Sequence, residues 1–62
     1  MKLSPRQRET LALAATGMPS KLICEQMGVT IWTVKAHLTE AYKRLGVHNR
    51  VQAVLLYQRG KA

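Results

Sequence analysis

The chain has 62 residues, ten Lys and Arg against three acidic residues, a formal charge of +7 and a single cysteine. That length suits one small domain (1–62), near the lower limit of an unstapled core. One cysteine excludes an internal disulfide and a cysteine-based metal cluster, and no apolar run approaches the roughly 20 residues that span a bilayer. Such a charge excess draws polyanions, nucleic acid first and an anionic membrane surface second, although a merely solvated surface stays open. At 47% hydrophobic the chain is not a disordered basic tail.

Apolar residues recur at three and four and turn residues interrupt them, which predicts an all-α fold of four helices at about 5–16, 19–27, 31–45 and 50–59. In the first, Ser4 can cap, Pro5 suits the first helical position and Gln7 has capping-box spacing, with Leu11, Ala14 and Ala15 inward and Gly17 as the stop. The short second helix opens with Pro19, places Ile23 and Met27 on one face beside Cys24, and stops at Gly28. Thr30 caps the third, where Val34, Leu38, Ala41 and Leu45 make one buried stripe before Gly46. Asn49 caps the fourth, Gln52 repeats the capping-box spacing, Val51, Val54, Leu55 and Leu56 supply apolar surface, and Gly60 ends it.

Between the second and third helices, a small residue at Cys24, glycine four positions on at Gly28 and a β-branched anchor at Val34 match helix-turn-helix spacing. A plain helical bundle fits this spacing too. What favours a binding module is the opposite side of the third helix. At about 100° per residue, Trp32, Ala36, Thr39 and Lys43 lie across from the buried stripe, with Lys35 at its edge. Cations toward either end and small residues between them suit a helix whose backbone approaches a surface closely, as in a major groove about 12 Å wide.

The segments "LSPRQRETLALAATG", "KLICEQMGV", "TVKAHLTEAYKRLGV" and "NRVQAV" resemble the LuxR-type (GerE-type) helix-turn-helix DNA-binding domain of bacterial transcription regulators, from Leu3 to about Leu56. The resemblance implies four helices, the third being the recognition helix and the second bracing it. It implies base contacts at Lys35, Ala36 and Thr39, with phosphate contacts at Thr30, Thr33 and His37 and at Arg50 where the fourth helix begins. Ser20 and Lys21 open the second helix, whose amides and dipole favour phosphate; Lys43 also suits phosphate. Pairing of two domains through the fourth helix is implied as well, with Val51, Val54, Leu55 and Gln58 as the candidate homodimer seam. Closure of the monomer core by that same face is the alternative. Departures from the family pattern are Gln7 in place of glutamate, Cys24 in place of alanine, Ala41 in place of a larger apolar residue that Tyr42 could compensate, and Trp32 at a variable position.

Trp32 leaves open packing on the second helix, contact with DNA sugar or a thymine methyl, and contact with another domain. His37 suits either a half-buried internal hydrogen bond or a phosphate. His37, His48 and Cys24 lack metal-ligand spacing, and Cys24 is expected as a small core residue. Three scattered glutamates and no serine–histidine pair give no catalytic constellation, so neither an enzyme nor a cofactor is expected. The expectation is sequence-specific binding to double-stranded DNA and regulation of transcription in the cytoplasm. The alternative is a helix-turn-helix module that docks on a protein such as RNA polymerase or a partner regulator. A membrane-surface peptide is disfavoured by the helix stops at Gly17, Gly28 and Gly46. Family members often carry an N-terminal regulatory domain.

Overall fold

The computed structural model describes residues 3–61; Met1, Lys2 and Ala62, part of the expected single domain, lie outside the described residues. Among the described residues the fold is all-α, with four helices, α1 (Pro5–Ala15), α2 (Ser20–Met27), α3 (Ile31–Leu45) and α4 (Arg50–Gln58), and no strand.

Local chemistry sets most of the ends. Ser4 Oγ accepts from the Gln7 amide at 3.1 Å while Gln7 Oε1 accepts from the Ser4 amide at 3.0 Å, so the expected capping box forms with Pro5 at the first position. α1 stops at Ala15, one residue before the expected end, because Thr16 turns out as the cap and its hydroxyl donates to the Leu13 carbonyl at 2.6 Å. Pro19, expected inside α2, is its extended N-cap at φ −70° and ψ 156°. At the start of α4, Asn49 Oδ1 accepts from the Gln52 amide at 2.9 Å. Gln52 Oε1 reaches back to the amide of His48 at 2.8 Å, one residue beyond a standard capping box.

α3 is the centre of the molecule, packing against α1, α2 and α4, while α1 also meets α2 and α4. Two apolar clusters form along it. Ala14, Ile23, Met27, Val34 and Leu38 make one, and Leu3, Leu11, Ala41 and Ala53 the other. Tyr42 and Val54 pack against both, so they join the clusters into one core. Tyr42 thus packs against the cluster that holds Ala41 and Leu11.

Two inward faces differ from the expected ones. In α1 the buried residues are Gln7, Thr10, Leu11 and Ala14, a line at three- and four-residue steps, and Ala15, about 100° further round, is half-buried. Thr10 is tolerated at full burial because its hydroxyl donates to the Arg6 carbonyl at 2.7 Å and lies 3.3 Å from Met27 Sδ. In α4 the fully buried residue is Ala53, flanked by half-buried Val54, Leu56 and Tyr57, whereas Val51 and Leu55 point outward. A small residue at the contact lets α4 lie close to its neighbours.

Candidate nucleic-acid interface

The geometry of the candidate face begins at the turn before α3. Gly28 adopts φ 70° and ψ 33°, and the Val29 amide donates back to the Cys24 carbonyl at 3.0 Å, closing α2 with a left-handed cap. Cys24 is half-buried against the core and its thiol donates to the Lys21 carbonyl at 2.9 Å, so it is engaged within its own helix. The chain then turns into α3 at Thr30, whose Oγ1 accepts from the Thr33 amide at 3.2 Å and lies 3.1 Å from the Thr33 hydroxyl.

Val34 and Ala41 are fully buried and Leu38 nearly so, which fixes the roll of α3 about its axis. With that roll, Trp32, Lys35, Ala36, Thr39 and Lys43 are all exposed. Glu40 shares this outer side, so the face is cationic at two places rather than throughout. Its middle is small, at Ala36 and Thr39. Lys35 and Trp32 are not independent: the Lys35 Nζ sits 5.7 Å from the centroid of the indole, within cation–π range. The three-residue spacing was the sequence signal for this pairing.

The other candidates surround this face unevenly. Thr30 is exposed, and Thr33 and His37 are half-buried on the flank of α3. Ser20 is half-buried and Lys21 exposed at the first turn of α2, whose amides receive no side-chain cap.

Arg50 has a use that spacing did not reveal. Its Nη2 donates to the Met18 carbonyl and, at 3.4 Å, to the Ala14 carbonyl. The guanidinium expected at a phosphate therefore already joins the start of α4 to the end of α1 and to the loop leading into α2. It also lies near Tyr42, whose hydroxyl pKa is raised above its ordinary value by burial, with the Arg50 charge opposing that rise. Arg50 and its two acceptors are 36 and 32 residues apart, and no sequence pattern carries that information.

The candidate seam on α4 divides in the same way. Val51, Leu55 and Gln58 are exposed, whereas Val54 packs against both core clusters. Val54 thus closes the monomer core.

Among the described residues there is no cavity, no group of three His, Cys, Asp or Glu side chains that could hold a metal ion, and no helix long and apolar enough to cross a membrane. What the domain offers a partner is an exposed helix on a cationic body. Residues 1–57 match the family model described as bacterial regulatory proteins, luxR family. The chain belongs to the LuxR family.

Among curated relatives, it is 46% identical over 54 residues to YhjB of Escherichia coli (strain K12), covering 87% of this chain and 27% of that protein. It is 37% identical over 54 residues to the nitrate/nitrite response regulator protein NarL of the same strain, covering 87% and 25%. It is 40% identical over 57 residues to the transcriptional regulatory protein LiaR of Bacillus subtilis (strain 168), covering 92% and 27%. The chain thus spans about a quarter of the length of these relatives. The LuxR family is one of DNA-binding transcription regulators, and this chain carries its helix-turn-helix domain.

Proposed function

We propose that this LuxR-family domain binds double-stranded DNA sequence-specifically in the bacterial cytoplasm, with α3 in the major groove, as the DNA-contacting part of a transcription regulator. The observation that carries this is the exposed face of α3, where Lys35 and Lys43 bracket the short side chains of Ala36 and Thr39. A helix with its side chains is about 10–12 Å across, and a major groove is about 12 Å wide, so small central residues let the backbone come close to base edges.

In this reading Lys35 donates to guanine O6 or N7, Thr39 reaches a base or a nearby phosphate, and Ala36 provides clearance and an apolar contact. Thr30, Thr33, His37 and Lys43 hold the phosphates along α3, while Ser20 and Lys21 present the start of α2 to the backbone. Arg50 acts through the fold first, by fixing the loop that leads to Ser20; only its remaining N–H groups are available to a phosphate. Pairing through the exposed α4 residues Val51, Leu55 and Gln58 would set two half-sites about 10 to 10.5 base pairs apart. A regulatory domain elsewhere in the intact protein is part of the proposal, consistent with relatives about four times longer.

The test is selection of bound sequences from a random duplex pool, followed by titration of the winner and of random DNA with wild type and Lys35→Ala. The variant should lose about 1–3 kcal/mol of preference for the selected site. Its affinity for random DNA should fall far less. Equal losses on both duplexes would reject base contact by Lys35. Absence of salt-dependent DNA affinity in the wild type would favour docking on a protein such as RNA polymerase.

A further inference from the structure

Among the described residues Trp32 is the most exposed of the large apolar side chains, at 76% of its surface, and it stands on the first turn of the helix proposed to enter the groove. An indole left in solvent contributes nothing to this core. Its ring does hold something: the ammonium of Lys35 rests against its π face at 5.7 Å. That contact restricts a long, flexible lysine at the position most favourable for reaching a base.

We propose that Trp32 and Lys35 form one composite recognition element for a guanine next to a thymine. The apolar edge of the indole covers the thymine C5-methyl, and its face steers the Lys35 ammonium toward O6 and N7 of the neighbouring guanine. The proposal rests on α3 occupying the major groove. The chemistry follows from what the groove displays: a thymine offers an exposed methyl and a guanine two acceptors. N-terminal residues of a recognition helix lie nearest the base edges, and Trp32 and Lys35 are its second and fifth residues. The side chains that follow them on this face, Ala36 and Thr39, are too short to compete for the same base step. The occupant is a nucleic-acid duplex rather than a protein surface because the indole is coupled to a cation on a chain of charge +7.

The test uses the selected duplex with each thymine replaced singly by uracil, which removes only the C5-methyl. Wild type should lose about fourfold in affinity at one thymine adjacent to a guanine, as expected for one methyl returned to water. Trp32→Ala should bind the thymine and uracil duplexes equally while keeping the wild-type salt slope, and Trp32→Phe should recover part of the difference. Trp32 is also the chain's single tryptophan. Its emission should therefore shift to the blue on duplex binding. Uracil tolerated at every position by wild type, an equal uracil penalty in Trp32→Ala, or indole emission unmoved by saturating DNA would each overturn the proposal while leaving DNA binding intact. Failure of wild type to prefer the selected duplex over random DNA would instead remove the groove-binding reading itself. Circular dichroism of both variants identifies any loss of fold, which 76% exposure of the side chain makes unexpected.

Discussion

The Arg50 guanidinium spends its hydrogen bonds on main-chain carbonyls at Met18 and Ala14, and this decides what its removal does. Arg50→Ala should cost about 1.5–3 kcal/mol of folding stability, the range for hydrogen bonds from a charged group. Thermal unfolding of the two proteins measures it. The salt slope of DNA binding should change by much less than the full unit expected of a dedicated phosphate contact. The neighbouring Tyr42 gives a pH signature. Burial raises its pKa above the ordinary 10.0, so the folded state keeps the phenol protonated where the unfolded chain ionises. The resulting stability is complete below pH 10 and is lost as pH rises through the raised folded value. Chemical denaturation between pH 9 and 11.5 should show wild type losing stability more steeply than Tyr42→Phe. Trp32 shows the opposite relation to the fold: a large side chain whose placement serves the surface, because nothing in the core receives it.

At the level of helices, the turn between α2 and α3 places the candidate face. Gly28 sits at φ 70°, and beyond its chain neighbours no atom lies within 4 Å of where a Cβ would stand, so the requirement is conformational rather than steric. Gly28→Ala should therefore lower stability by about 1–2 kcal/mol, the cost of a left-handed alanine, without disturbing the packing. In a domain this small, each kcal/mol moves the melting temperature by about 4–8 °C, well within calorimetric reach. Most helix starts and stops were legible from local chemistry: Ser4 with Gln7, Thr30, Asn49, Gly28 and Gly46 all cap as their residue types require. The α3 stripe of Val34, Leu38 and Ala41 was equally plain, since one buried face on a 15-residue helix repeats often enough to set its phase. The short helix α4 was less legible. Over nine residues with apolar groups on several sides, large side chains suggest an inward face that the small Ala53 in fact occupies.

For the whole molecule, the body measures 26 × 19 × 18 Å, with α3 packed on three neighbours and one side left free. This arrangement presents the helix as a rigid element, and rigidity is what a groove-reading surface needs. On α4, Leu55 is 45% exposed and Val51 68% exposed, outside the packing that Ala53 and Val54 complete. If two copies pair there, Leu55→Asp should weaken cooperative binding to paired half-sites and leave affinity for an isolated half-site unchanged. Gel-shift titration on both duplexes separates these outcomes. Unaltered cooperativity with an intact fold would place the seam elsewhere.

Sequence by itself determined the helical class, most of the capped ends, the phase of α3 and the family, because each is written in short-range spacing and residue chemistry. It also marked which side chains α3 turns outward, since burying Val34, Leu38 and Ala41 leaves Lys35, Ala36 and Thr39 no other direction. Only the tertiary structure decided that Arg50 braces the loop before α2, that Val54 belongs to the core while Leu55 does not, and that Tyr42 joins the two apolar clusters. Those outcomes depend on contacts between residues far apart along the chain, and on how closely small side chains let the helices approach. Neither quantity leaves a periodic trace in the sequence.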